Sequence, residues 1–224
     1  MKNTMKIKAL LAVLLLAAGC GQASMELTDF PEVREKASRG AFPLAASSAA
    51  TICVDSGDAR VVSIAAGLLA DDVERLTGLR PAMLSELPED GPALIAGTVG
   101  QSRLIDSLSD KGLIDTEALH GKWESYVVQT IHVDERPMLV VAGSDRRGTA
   151  FGLTSLCEAA GVSPWHWWAD VTPARRKALH VQPGRFLQDE PDVQYRGIFI
   201  PSSPVSISAS AETSSSESSS AASS

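Results

Sequence analysis

Short apolar runs and longer amphipathic segments alternate through the middle of the chain. Residues 51–54 form a β-rich apolar run, and residues 61–76 carry apolar side chains at helical spacing before Gly78. The complete pattern predicts strands over 51–54, 92–96, 126–133, 138–142 and 179–181, and helices over 61–76, 101–111 and 147–160. A tight turn at 134–137 joins two of these strands into a hairpin. This order is typical of an α/β domain in which helices cover a small mixed sheet.

The N-terminus has the pattern of an export signal. Three lysines, at positions 2, 6 and 8, precede an apolar run over 9–18, which is shorter than a transmembrane helix requires. This pattern predicts a signal peptide over 1–19. Residues 16–20 (LAAGC) are similar to a bacterial lipobox, so Cys20 is the predicted lipid attachment site. An ordinary cleaved signal with an incidental cysteine is the alternative. Gly21 in place of Asp predicts an exported, lipid-anchored protein at the outer membrane, facing the periplasm or the cell surface.

The remaining segments divide the chain further. Residues 20–49 are predicted to be a tether with a short helix near Phe30 to Lys36, and residues 50–182 to be the α/β domain. Residues 183–200 are predicted to be a linker that enters another buried strand at Tyr195 to Ile200. The serine-rich residues 201–224 cannot offset their ordering entropy by burial, so they are predicted to be a disordered tail.

Charge and cysteine content narrow the possible partners. The net charge of -7 and the lack of a basic stripe argue against nucleic acid. Cys53 and Cys157 lie among apolar neighbours, which favours two buried thiols over a disulfide between them. No CxxC and no Cys/His spacing typical of zinc occurs, so neither a metal nor a cofactor is predicted.

The turn between the last hairpin strand and the helix at 147–160 is a candidate site. Ser144, Asp145, Arg146 and Arg147 lie where backbone N–H groups can hold an anion. The turn is not a P-loop, because no lysine precedes Thr149. The favoured interpretation is a turn in which Asp145 caps the helix.

Three tryptophans form a second candidate. Trp165, Trp167 and Trp168 could stack on sugar rings, or they could contact a following domain, and we favour the domain contact. Glycoside hydrolysis needs two carboxyl groups at a fixed separation. The adjacent acids 71–72, 89–90 and 189–190 do not form a convincing pair, so no catalytic residue is predicted.

Three runs of sequence carry a family resemblance. They are VVAGSDRRGTAFG at 140–152, GVSPWHWWADV at 161–171 and YRGIFI at 195–200. In this order and spacing they resemble glycoside hydrolase family 115, which contains xylan α-1,2-glucuronidases. The resemblance covers roughly residues 50–200 and implies the N-terminal α/β domain of the family, similar to the domain that precedes the barrel in hexosaminidases.

The resemblance also implies a function for the parent enzymes and a limit for this chain. Family members are hydrolases that remove glucuronic or 4-O-methylglucuronic acid branches from glucuronoxylan, with inversion and without a cofactor. Their catalytic residues belong to a (β/α)8 barrel whose first strand matches Tyr195 to Ile200 and continues into Asn-Asp-Glu. Pro201, Ser202 and Ser203 stand there in this chain. We therefore expect an inactive N-terminal fragment that lacks its barrel partner and exposes an apolar patch near the tryptophans. A carbohydrate-binding or protein-interaction module on a lipid anchor is the alternative.

Overall fold

A computed structural model describes residues 27–28 and 31–197 of the chain. The chain divides into two units, residues 1–192 and 193–224. All strands and helices named below belong to the first unit. In the second, residues 193–197 carry no helix or strand, and an Arg196 guanidinium nitrogen donates to the carbonyl of Val193 at 2.8 Å. The predicted signal peptide, Cys20, the serine-rich tail and the end of the strand predicted at 195–200 lie outside the described residues.

The larger sheet has seven strands in the order β1-β10-β7-β8-β6-β4-β5. Its strands are β1 (Leu27–Thr28), β4 (Thr51–Val54), β5 (Met83–Leu84), β6 (Ala93–Thr98), β7 (Tyr126–Val133), β8 (Arg136–Gly143) and β10 (Arg185–Gln188). Strands β4, β5, β6 and β8 run parallel, whereas β7 pairs antiparallel with both β8 and β10. The predicted mixed α/β sheet is therefore confirmed.

In the part of the chain that the structure describes, four α-helices accompany the sheet: α1 (Arg60–Thr77), α2 (Arg103–Asp110), α3 (Arg146–Ala159) and the short α4 (Trp165–Trp168). A 3₁₀ helix spans Glu117–Leu119. Helices α1, α2 and α3 lie within one or two residues of their predicted bounds. None of the described helices is long and apolar enough to cross a lipid bilayer.

Alternating side chains of the parallel strands build two cores, one on each face of the sheet. In β6, Leu94 and Ala96 join the cluster that contains the buried sides of α1 and α3, whereas Ala93 and Ile95 join the cluster around α2. Such double burial explains the continuous apolar runs of these strands. Cys53 and Cys157 are both buried free thiols, as favoured from the sequence.

A second, three-stranded sheet changes the predicted domain boundaries. Strand β9 (Leu179–Val181) pairs antiparallel with β2 (Val33–Arg34) and with β3 (Phe42–Ala45). Phe42, Leu44 and Leu179 are fully buried in the same core as α1 and α3. The prediction of a tether with a short helix is therefore wrong for residues 31–49, which belong to the folded domain. The linker prediction is also wrong at 185–188, because β10 lies within the large sheet. Both segments form strands because distant chain segments supply their partners.

Candidate functional site

Part of the outward side of α1 is apolar. Val62, Leu69 and Val73 point into the core, as an amphipathic helix requires. Val61, Ile64 and Leu68, at helical spacing, are instead exposed, with Ile64 52% accessible. On the adjacent helix α3, Phe151 is exposed as well, one turn before Thr154, which shares a groove with Leu68. We call Val61, Ile64, Leu68 and Phe151 the apolar face.

The three predicted tryptophans lie on α4, close to this face. Trp165, Trp167 and Trp168 are all exposed, Trp167 to 67% and Trp168 to 83%. His166 packs its ring against the edge of Trp167, with 5.8 Å between centroids. The nitrogen Nδ1 of His166 also lies 3.3 Å from the carbonyl oxygen of Val171. Large indoles exposed to this degree indicate a contact surface for another molecule or domain.

A groove of about 260 Å³ lies beside Trp167, between the later turns of α1 and α3 and the start of α4. Apolar and polar side chains share its lining, which includes Leu68, Asp72, Thr154, Glu158, Ser163 and Trp167. We call it the Trp groove. The Trp groove and the apolar face meet at Leu68, which belongs to both. Val61 and Ile64 of the apolar face precede Leu68 on α1, and Asp72 of the groove follows it.

Internal contacts hold the polar wall of the Trp groove in place. The nearly buried carboxylate of Asp72 forms an ion pair with Arg75 on the same helix. Burial, together with the neighbouring Asp72 carboxylate, raises the pKa of the Cys157 thiol far above its ordinary value, so this sulfur stays protonated. Glu158 has no cationic partner among the residues that the structure describes.

The carboxyl ends of β4 and β6 form the crevice where open α/β sheets commonly bind ligands. Asp55 occupies it with a carboxylate that is 1% exposed. This carboxylate accepts hydrogen bonds from the Nε and Nη2 atoms of Arg103 at 2.9 and 2.8 Å, and from two backbone N–H groups. The Arg103 guanidinium, followed by the Gly57 N–H group, holds the pKa of Asp55 well below its usual range. Asp58 fills the same edge by accepting from the Thr98 N–H group at 2.7 Å. The crevice is therefore closed by the protein's own carboxylates.

The candidate turn at residues 144–147 is occupied in a similar way. Asp145 Oδ1 accepts from the N–H groups of Arg147 and Gly148 at 2.8 and 2.7 Å, so it caps α3. The Arg147 guanidinium pairs with the buried Glu124 at 2.8 Å, and the Ser144 hydroxyl donates to the Ser125 carbonyl at 3.1 Å. Arg146 is exposed. Because the N–H groups of Arg147, Gly148 and Thr149 already have Asp145 as their acceptor, the geometry favours a helix cap over an anion site.

The adjacent carboxylates considered from the sequence are also engaged or exposed. Asp71 pairs with Arg80 at 2.7 Å, and Asp189 pairs with Lys122 at 2.6 Å. Glu89 and Asp90 lie on an exposed loop, next to a cavity of about 430 Å³ at the hairpin turn. Another cavity, of about 520 Å³, lies between the two sheets and is lined partly by side chains of the core and partly by residues 182–184. Within residues 27–28 and 31–197, no group of three or more metal-ligating side chains occurs.

Comparison with solved structures finds that this domain is similar in fold to a part of glycoside hydrolases. A family GH115 4-O-methyl-α-glucuronidase with specificity for decorated arabinogalactans, BtGH115A, is 33% identical over 66% of this chain, with a TM-score of 0.57. This chain spans only 18% of the length of that protein. The N-acetyl-β-hexosaminidase of Streptomyces plicatus is 18% identical over 76% of this chain and 25% of its own, with a TM-score of 0.38. The chitobiase of Flavobacterium johnsoniae is 14% identical over 78% of this chain and 22% of its own, with a TM-score of 0.39. No protein-family model and no curated protein matches the chain. The domain has a glycoside hydrolase fold, similar in part to that of an α-glucuronidase.

Proposed function

We propose that this chain provides a non-catalytic accessory domain of an exported glycosidase that acts on glucuronic acid branches of plant polysaccharides. The similarity to BtGH115A carries the proposal, because it covers 66% of this chain but only 18% of that α-glucuronidase. The sequence runs at 140–152 and 161–171 resemble the same family. Glucuronoxylan and decorated arabinogalactan are the substrate classes that this similarity suggests.

The apolar face is the surface that we assign to a catalytic domain. Contiguous exposed apolar residues on a soluble domain mark contacts with another protein or domain. Val61, Ile64 and Leu68 form such a stripe on α1, and Phe151 extends it onto α3. A helix that is apolar on two sides is expected to be buried on both. The occupant that we propose is a catalytic barrel, in the same chain or in a partner chain.

Export and lipid anchoring form part of the proposal. They are supported by the lysines that precede the apolar run at 9–18 and by the lipobox-like residues before Cys20. An anchored accessory domain would hold its catalytic partner at the outer membrane, where polysaccharide fragments arrive. Labelling cells with a radioactive fatty acid tests the anchor, and a Cys20→Ser variant that retains the label would contradict it.

An activity assay tests the non-catalytic role. The purified chain is incubated with glucuronoxylan and with decorated arabinogalactan, and released glucuronic and 4-O-methylglucuronic acids are measured by chromatography. BtGH115A provides the positive control. We expect no release above the enzyme-free blank, because the adjacent carboxylates 71–72 and 189–190 are engaged in ion pairs or exposed at the surface. Sustained turnover would defeat the proposal.

A paired substitution tests the docking role of the apolar face. The unaltered chain should bind a hydrophobic dye and associate in sedimentation experiments. The double variant Ile64→Gln, Leu68→Gln should lose both properties and keep its melting temperature, because both side chains face solvent. Leu69→Gln is the matched control, since Leu69 is fully buried and its replacement should destabilise the fold. A monomeric, dye-free parent chain would refute the docking surface.

A stand-alone carbohydrate-binding or protein-interaction module on a lipid anchor is the second candidate function. The exposure of Trp165, Trp167 and Trp168 favours it, because indole faces stack on sugars and also anchor protein contacts. The two functions differ in whether the domain needs a catalytic partner. Affinity for polysaccharide fragments in the isolated chain, without dye binding or association, would favour the second.

A further inference from the structure

The Trp groove approaches the size of a small ligand site. Its volume of about 260 Å³ lies just below the range of about 300–1,000 Å³ that is usual for ligand pockets, which suits one sugar ring rather than an oligosaccharide. The exposed indole of Trp167 supplies an aromatic wall, and the edge contact with His166 limits the motion of that indole. The groove is therefore pre-formed on the side of its aromatic wall.

The polar lining offers acceptors for hydroxyl groups. Thr154 and Ser163 contribute hydroxyl oxygens, while Asp72 and Glu158 contribute carboxylate oxygens. Arg75 fixes the position of the Asp72 carboxylate, which lowers the entropy lost when a ligand binds. A ring rich in hydroxyl donors, with one apolar face, complements an aromatic wall beside such acceptors.

The negative charge of the Trp groove distinguishes neutral sugars from uronic acids. Arg75 balances the charge of Asp72, whereas Glu158 forms no ion pair within the described part of the chain. An excess negative charge repels a uronic acid and accepts a neutral ring. The Trp groove should therefore differ in ligand charge from a catalytic pocket that removes glucuronic acid.

We propose that the Trp groove is a subsite for one neutral sugar unit of a polysaccharide backbone, with Trp167 as the stacking platform and Asp72 and Glu158 as hydroxyl acceptors. Its biological role rests on the proposed accessory function. Because the groove meets the apolar face at Leu68, a backbone held there would lie beside the docked catalytic domain. Sites at domain borders are common for ligands.

Titration of the purified chain tests this subsite. Xylotetraose, galactotetraose, glucuronic acid and a lysine-rich peptide are titrated separately by calorimetry, and the indole N–H signals are followed by NMR. At least one neutral oligosaccharide should bind saturably and shift the Trp167 signal, whereas glucuronic acid should not. Trp167→Ala should weaken this binding by about tenfold or more. Trp168→Ala is the matched control, since Trp168 is exposed but does not line the groove, and it should bind within about twofold of the parent chain.

A charge-neutral variant tests the selectivity. Glu158→Gln should retain neutral sugar binding within about threefold, because an amide oxygen still accepts, and should gain measurable binding of glucuronic acid. Saturation by the basic peptide alone would show that the groove is a cation site and overturn the sugar assignment. Absence of sugar binding, or binding that survives Trp167→Ala, would also overturn it. None of these three results would affect the accessory function, which the activity and dye experiments test independently.

Discussion

The buried carboxylate of Asp55 allows a quantitative test of the fold. Its Oδ1 atom accepts from the Gly57 N–H group and from Arg103 Nη2, and its Oδ2 atom accepts from Arg103 Nε and the Arg103 N–H group. Asp55→Asn replaces one oxygen by an NH2 group. Whichever oxygen is replaced, one backbone donor and one guanidinium donor lose their acceptor. The Arg103 side chain is 79% exposed, so water can partly replace that contact.

The expected cost follows from these two lost contacts. A buried backbone donor without a partner costs about 1–3 kcal/mol, and the water-accessible guanidinium adds less than a buried one would. We expect Asp55→Asn to lower the free energy of unfolding by about 2–3 kcal/mol at pH 7. For a domain of this size, this corresponds to a fall in Tm of roughly 4–12 °C. Asp189→Asn is the matched control, because Asp189 also forms an ion pair but lies at the surface, and its Tm should be unchanged.

The pH dependence of this difference gives a second, independent readout. Arg103 lowers the pKa of Asp55 in the folded protein, so the unfolded chain binds the proton more readily. The stability contributed by Asp55 is therefore fully present above the unfolded pKa of about 3.9 and decreases as the pH falls towards the lower folded pKa. Thermal melts followed by circular dichroism should show a constant difference between pH 5 and 8, and a smaller one below pH 4. A variant as stable as the parent at pH 7, or a difference that grows in acid, would refute the argument.

Two further predictions concern packing and thiol chemistry. Gly143→Ala should destabilise the domain by about 1–3 kcal/mol in denaturant titrations, because its Cβ would overlap the Thr149 N–H group. Gly67→Ala, whose new Cβ would meet no other atom on α1, should instead stabilise the domain by about 0.5–1 kcal/mol. Equal effects of the two substitutions on stability would contradict the packing argument. In a Cys20→Ser background, Cys53 and Cys157 should react with a thiol reagent at pH 8 only as the protein unfolds. Burial raises the pKa of Cys53 to about 11 and raises the pKa of Cys157 by more than that, so neither thiol is ionised in the folded protein. Rapid labelling of the native protein would contradict this prediction.

Local pattern was sufficient for the central α/β unit. Strands β4, β6 and β8 are short apolar runs between turn residues, and α1 and α3 have helical periodicity, so their existence follows from nearby residues. The Asp145 cap of α3 is also local, because donors and acceptor lie within three residues of each other. Such features depend on the chain over a few residues only.

The missed elements depend on partners far away in sequence. Strand β2 exists because Val33 pairs with Val181, so the described residues 31–36 do not form the expected helix. The Asp55 carboxylate accepts a hydrogen bond from the side chain of Arg103, which lies 48 residues later in the sequence. Neither residue belongs to a sequence motif from which this pair could be predicted. Periodicity cannot identify such partners, because it contains no information on tertiary neighbours.

The apolar side chains that α1 leaves exposed are themselves a functional signal. Helical spacing assigned Val61, Ile64 and Leu68 to the same amphipathic pattern as Leu69 and Val73, yet the structure buries only the second group. Full burial of a Val, Ile or Leu side chain is worth about 1.5–3 kcal/mol, so three partly exposed side chains forgo several kcal/mol in an isolated domain. Places where local pattern and global fold disagree are commonly functional. A covering partner removes the disagreement, because it turns the second apolar side of α1 into a buried interface.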